Sequence, residues 1–208
     1  MHKYLVMDSI GISTHLETGE PVYLRPIGRR DRAREVEVIS RLSPHSRYLR
    51  FFTGAATIPD HVIDQLVNTD GYNHIAWGAL ELNLPGAPLM GVVRAIRKGN
   101  SREADLALAV LDAHHGKGLA RLLLEAVVDQ ARSVGITRLT AETLHENAPA
   151  RRLFKAIGGK AAGSGGVVVT YGFDAATVAE RLAEMPGGKP MQDLRAGLAL
   201  MQPLPRVA

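Results

Sequence analysis

The residues best placed to do chemistry fall in one stretch, Asp105 to Ala120, reading Asp-Leu-Ala-Leu-Ala-Val-Leu-Asp-Ala-His-His-Gly-Lys-Gly-Leu-Ala. Leu106 to Val110 is a short run of small apolar residues, as in a buried strand. His115 to Ala120 carries two glycines, and a long amphipathic helix starts at Lys117. A strand that turns through glycines into a helix makes an anion site. Free backbone N–H groups and the positive end of the helix dipole converge there, and glycine lets a phosphate reach the backbone. Two common phosphate-binding patterns fit badly. Gly118 is followed by Leu119, where a P-loop needs Lys and then Ser or Thr. A dinucleotide fingerprint would need its last glycine at Arg121. Glu142 at the end of the next strand keeps that second reading open.

The loop as it stands, His115-Gly116-Lys117-Gly118-Leu119-Ala120, resembles the acyl-CoA loop of the GNAT acetyltransferases, Gln/Arg-x-x-Gly-x-Gly/Ala, with histidine as a departure in the first position. A second run, Leu42-Ser43-Pro44-His45-Ser46-Arg47-Tyr48-Leu49-Arg50-Phe51-Phe52, resembles the Leu-Ser-Pro-x-Ser-x-Tyr-x-Arg-Phe-Phe segment of GNAT domains of the Pat type, the bacterial protein-lysine acetyltransferases. Its aromatics are expected to dock in the core. The resemblance covers about Val22 to Asp174. It implies a mixed α/β GNAT fold, a central and mostly antiparallel sheet flanked by helices. It also implies acetyl-CoA as cosubstrate, no metal, and an amine acceptor, with a lysine on a protein as the Pat-type expectation. The pyrophosphate would lie on His115, Gly116, Lys117, Gly118, Leu119 and Ala120, and the extended arm along Leu108, Ala109 and Val110. Asn147 and Phe154 of a later helix would flank it.

Acyl transfer to an amine needs a base, because an ammonium with a pKa near ~10.4 is almost wholly protonated at neutral pH. The leaving thiolate, from a thiol of pKa about 8.5, needs little help. Pat-type domains carry a glutamate at the head of the strand before the loop, in a run like Ala-Glu-Phe-Ala-Val-Val-Val. This chain reads Ala104-Asp105-Leu106-Ala107-Leu108-Ala109-Val110, which makes Asp105 the implied base, one methylene shorter, and Glu103 the reserve. Many GNAT enzymes place a tyrosine acid seven residues after the asparagine. Here that position is Phe154, as Pat-type domains also lack the tyrosine, and Tyr171 is only a distant substitute. His114, His115 and His145 are read as loop histidines, not metal ligands, since no carboxylate motif frames them.

The rest of the chain must position these parts. At 208 residues, 46% hydrophobic and 22% charged, it has the make-up of a soluble globular domain with a tail. It has no cysteine, which excludes disulfides, thiolate metal sites and a cysteine nucleophile. No run approaches the ~20 apolar residues of a membrane span, and no signal peptide is read, so a cytoplasmic location is expected. Within these 208 residues, neither the synthetase-like nor the cyclic-nucleotide domain often fused to Pat-type proteins is expected. A net charge of +4 is modest for nucleic-acid binding, which is not expected, but suits a polyanionic cosubstrate. Eight arginines against three acids between Arg25 and Arg50 read as a solvated basic face, or as a surface for an acidic partner.

Residues 1–20 read as an N-terminal extension, 21–175 as the acetyltransferase-like domain and 176–208 as a helical or irregular tail. Within the domain the expected order is a strand at Val22 to Pro26, and a helix from Asp31 to Leu42 with Ala33, Val36, Ile39 or Val38, and Leu42 inward. A second short helix, Pro59 to Val67, precedes strands Ile75 to Leu82, Leu89 to Arg97 and Ala104 to Val110. The Lys117 to Val134 helix, with Leu119, Leu122, Leu123, Ala126, Val127, Gln130, Ala131 and Val134 at helical spacing and Arg121, Glu125, Asp129 and Arg132 facing out, a parallel strand from Arg138 to Thr143, a helix from Asn147 and a last strand, Val167 to Phe173, follow. Gly163 to Gly166 is read as a turn. In the tail, Met191, Leu194, Leu198 and Met201 lie on one side of a helix that packs on the domain or on a second copy, as in a homodimer. Three other functions stay open: a catalytically idle acyl-CoA-binding module, a small-amine acetyltransferase, and a dinucleotide-binding protein if the sheet is doubly wound.

Overall fold

The computed structural model describes residues 11–55, 57–162 and 166–201. Among these, eight strands form one sheet: β1 (Ile12–His15), β2 (Pro21–Pro26), β3 (His74–Leu80), β4 (Leu89–Arg97), β5 (Glu103–Val110), β6 (Arg138–Leu144), β7 (Lys160–Ala161) and β8 (Val168–Asp174). Their order is β1-β2-β3-β4-β5-β6-β8-β7. Every neighbouring pair is antiparallel except β5 and β6. That order is not doubly wound, which removes the ground for the dinucleotide reading.

The parallel pair is joined by α4 (Leu119–Ser133), the crossover that parallel strands require. Its buried residues are Leu119, Leu122, Leu123, Leu124, Ala126, Val127, Val128 and Ala131. This is wider than the stripe read from the sequence, and the reason is tertiary. One side of α4 covers β3 and β4, while its outer side is covered by α6 (Ala175–Glu184) and α7 (Gly188–Met201). Glu125, expected to face solvent, instead accepts from Arg195 of α7 at 2.6 and 3.2 Å.

The opposite face of the sheet is covered by α1 (Arg32–Arg41) and α3 (Asp60–Val67), with α2 (Pro44–Phe51) between them in sequence. The expected inward side of α1 is rotated. Val36 is exposed, and the buried residues are Glu35, Val38 and Ile39. Glu35 goes inward because β4 brings Arg94 beneath it. Their charges meet at 2.7 Å, and both side chains are 3% exposed. The Leu42 to Phe52 aromatics dock only in part: Phe51 is half-buried against the core under α1, whereas Tyr48 and Phe52 are 37% and 42% exposed.

The expected boundary at residue 21 falls inside a hairpin. Ile12 to His15, read as extension, pairs with Leu24 to Pro21 as the sheet edge, and α7 packs on it with Met191, Leu194 and Leu198 buried. Most of the glycine turn expected at Gly163 to Gly166 lies outside the described residues. No helix among the described residues is long and apolar enough to cross a membrane.

Candidate functional site

β5 and β6 pair only at their first residues, Glu103 with Arg138, Ala104 with Leu139 and Asp105 with Thr140. Beyond Asp105 they separate. β6 goes on pairing with β8 as far as Leu144, and β5 with β4 as far as Val110, but not with each other. Two backbones in mid-sheet thus flank a slot, and the residues of β5 along it, Ala107 to Val110, are only half-buried. The slot opens toward the glycine loop. Asp105 stands at its closed end, roughly 17 Å from Val110 at ~3.3 Å per residue.

At the open end a short 3-10 turn, Asp112–His114, leads into the loop. Gly116 and Gly118 have φ of +72° and +83°, in the left-handed region where glycine carries no steric penalty. A Cβ on Gly116 would meet nothing within 4 Å. Gly118 is the N-cap of α4 and brings no side chain to cap it. The N–H groups of Leu119 and Ala120 therefore have no partner within the helix, and the dipole adds a partial positive charge.

His115, the departure in the first loop position, is exposed, and its Nε2–H donates to the carbonyl of Val110 at 2.9 Å. It closes the end of β5. His114 is buried, and burial, then the Lys117 charge, hold its pKa below the ordinary histidine value. No group of three or more His, Asp or Glu among the described residues is arranged to hold a metal ion.

The basic side chains of the loop are engaged from a direction the sequence did not suggest. The tip of the β1–β2 hairpin lies against them. Glu17 donates its N–H to the Lys117 carbonyl at 3.1 Å, and its Oε1 accepts from Arg121 Nη1 at 3.1 Å. Glu20 Oε1 accepts from Lys117 Nζ at 2.7 Å, a bond that holds the Glu20 carboxyl below the usual carboxylate range. Arg121 also donates to the carbonyl of Pro186, between α6 and α7.

At the closed end, Asp105 is 62% exposed, accepts from Thr140 Oγ1 at 2.5 Å across the last strand pair, and lies 2.9 Å from Lys98 Nζ. Glu103, the reserve, pairs with Arg138 at 3.5 Å. Back at the open end, Asp112 accepts from the Ser43 N–H and hydroxyl, at 3.2 and 2.9 Å, and from the Ser46 hydroxyl at 2.7 Å. This anchors the start of α2 to the turn before the loop. Asn147 caps α5 (Ala148–Ala156), its Oδ1 accepting from Ala150 N–H at 3.1 Å. Phe154 is 7% exposed, its ring packed edge-on against Tyr171 and Phe173 with centroids 5.5 and 5.6 Å away. Phe154 and Tyr171 are thus core residues, Tyr171 1% exposed among aromatics.

Several of the arginines between Arg25 and Arg50 are held by partners within the fold. Arg25 pairs with Asp31, Arg32 with Asp60 and Asp64, Arg41 with Glu37, and Arg34 with Asp31 and two carbonyls. Arg29 donates to Asn68. Arg50 stacks on Phe51 at 4.9 Å, and burial, then the Arg94 charge, lower its pKa to about 10.

Comparison with known proteins agrees with this arrangement. Residues 49–158 match the model of the Acetyltransferase (GNAT) family. An acetyltransferase of Pseudomonas aeruginosa is 29% identical over 143 residues, 69% of this chain and 77% of that protein. The acetyltransferase Pat of Mycolicibacterium smegmatis is 28% identical over 148 residues, 71% of this chain but only 44% of Pat, so the chain spans less than half of that relative. Among solved structures, the GNAT domain of S. lividans PAT superposes with a TM-score of 0.72 at 28% identity, covering 79% of this chain and 96% of that domain.

Proposed function

The chain belongs to the acetyltransferase (GNAT) family, and from that premise we propose that it moves an acetyl group from acetyl-CoA directly to the ε-amine of a lysine on a protein. The observation that carries this reading is the β5–β6 slot, with anion-binding amides at its mouth and a carboxylate at its closed end. Bound acetyl-CoA supplies the activated thioester. The amides from Gly116 to Ala120 hold its pyrophosphate, and the free edge of β5 at Leu108, Ala109 and Val110 pairs with the extended arm as a missing strand would. Asp105 takes the proton from the incoming amine. Thr140 orients its carboxylate. With Phe154 and Tyr171 spent on the core, no side-chain acid serves the leaving thiolate, which needs little help.

The protein acceptor is supported by the Leu42 to Phe52 run, shared with Pat-type domains, and by its exposed position. Tyr48 and Phe52 offer apolar contact on the outside of α2, and Asp112 ties α2 to the cofactor loop. A large acceptor can dock on such a face, whereas a small metabolite needs an enclosed pocket. The test is to incubate the chain and acetyl-CoA with a cell extract, and separately with polyamines, aminoglycosides and amino acids. Lysine acetylation above the non-enzymatic background is expected. Asp105→Asn should lower turnover by roughly 10²-fold or more with CoA affinity unchanged, and the defect should shrink at high pH, where more amine is neutral. Rapid turnover of one small amine without protein acetylation would overturn the acceptor. Full turnover in Asp105→Asn, with loss in Glu103→Gln, would move the base to Glu103.

A further inference from the structure

We propose that Lys98 is itself an acetyl acceptor: the chain acetylates this lysine from its own bound acetyl-CoA, and in doing so releases the carboxylate of Asp105. The inference rests on the reading of Asp105 as base, and it adds a modification site to it. Lys98 follows β4 in the turn to β5. Its N–H donates to the Glu103 carbonyl at 2.8 Å, which continues the strand register by one step and sets the direction of the side chain. Ile96 lies directly opposite Asp105, so Lys98, two residues further on, faces the same side of the sheet. Its Nζ reaches back to 2.9 Å from Asp105 Oδ1. An incoming amine must sit at that distance from the base, at the closed end of the slot. Lys98 therefore stands where a foreign lysine would stand.

The pair is also able to come apart. Lys98 is 42% exposed, and beside it Gly99 has φ +56° with nothing within 4 Å of a Cβ. The surroundings favour an ammonium: Asp105, Glu103 and Glu142 all raise the Lys98 pKa, the Asp105 hydrogen bond most of all. A proton acceptor in contact is thus a requirement, and Asp105 meets it. In the step, Asp105 takes one proton from the Lys98 ammonium, which frees the Nζ lone pair to bond to the thioester carbonyl carbon; as the C–S bond breaks, the second Nζ proton passes to the departing CoA sulfur, which leaves as the thiol, and Asp105 returns its proton to solvent. The product amide carries no charge and no longer pairs with Asp105.

Two measurements test this. In the cofactor-free protein, nitrogen-resolved NMR of the lysine side chains should show the Lys98 ammonium titrating above the ordinary lysine range, with the shift lost in Asp105→Asn. With acetyl-CoA added, peptide mass spectrometry should find Lys98 acetylated at least ten times faster than the exposed Lys160 and Lys189. The rate should not depend on protein concentration, and it should fall to the Lys160 level in Asp105→Asn. A normal Lys98 titration in the cofactor-free protein overturns the pairing whatever the enzyme does. Acetylation of Lys98 no faster than of Lys160 and Lys189, in a protein that binds CoA and acetylates added amines, overturns the proposal while leaving the function intact. Failure to bind CoA at all defeats the proposed function instead.

Discussion

Gly118→Val tests the cofactor loop at the point where its geometry is most constrained. Gly118 has φ +83°, and an L-residue there costs about 1–2 kcal/mol, toward the upper end or beyond for a β-branched side chain. The new Cβ would lie 2.8 Å from Glu17 Oε1 and 2.9 Å from its Cδ and Cγ. Glu17 is flexible enough to swing away, but it then gives up its contact with Arg121, an exposed pair worth up to ~1 kcal/mol. Together these come to about 2–3 kcal/mol, which for a domain of this size is a fall in Tm of roughly 5–10 °C. The cheapest relief is to let the N-cap leave the left-handed region, which turns the Leu119 and Ala120 amides away from their shared focus. Losing one or two charge-assisted bonds at about 1.5–3 kcal/mol each weakens CoA binding by roughly 10²-fold. Gly135→Ala is the control. Its φ of +81° and empty surroundings bring the same kind of backbone cost at the other end of α4. It should lower Tm by a few degrees and leave affinity alone. Calorimetry on a folded Gly118→Val protein with unchanged CoA affinity would refute the assignment of the pyrophosphate to this turn.

The other predictions concern the frame. Glu35→Gln leaves the Arg94 charge buried without its counter-charge and should cost about 3–5 kcal/mol by urea denaturation, whereas Glu35→Leu combined with Arg94→Met should come close to wild type. If the single and double variants are equally unstable, the pair is not what holds α1 on β4. Burial, then the Arg94 charge, push His74 down to about 4, below its unfolded value near ~6.5. The stability this neutral histidine allows is complete above pH ~6.5 and is lost as pH falls toward about 4. Urea midpoints measured across that window should fall for the wild type and flatten in His74→Gln; identical slopes would count against a buried neutral His74.

What was legible in the sequence was what local chemistry determines. Leu119, Leu122, Leu123, Ala126, Val127 and Ala131 repeat at helical spacing, so α4 and its inner face followed directly. Leu124 and Val128 did not, because their burial depends on α6 and α7 arriving from far along the chain. Glu35 reads as a surface residue until Arg94 is seen beneath it. β1 has four residues, and only Ile12 and Thr14 point inward, too short an alternation to stand out from a polar terminus. Of the Leu42 to Phe52 aromatics only Phe51 met the core expectation, because the N-terminus of α2 is fixed by polar contacts of Ser43 and Asp112, which leaves Tyr48 and Phe52 outside.

The site divides in the same way. A glycine loop announces itself because its function is carried by the backbone, and only glycine allows that backbone. Side-chain partners are set by register and packing, and so Lys98 on Asp105, Glu20 on Lys117 and Glu17 on Arg121 were invisible. The last two pairs bear on how the loop tolerates its unusual first residue. In the proposed phosphate site, with Lys117 and Arg121 already paired to the β1–β2 hairpin, recognition would fall chiefly on the amides and the helix dipole. His115 is spent on the Val110 carbonyl, where it closes off the strand that borders the slot. A first residue that ends β5 correctly is then sufficient, and a glutamine or arginine side chain is not required to meet the phosphate. On the proposed function, the sequence departure and this ion pairing have one physical explanation: a phosphate site built from backbone, with its charged side chains committed to holding that backbone in place.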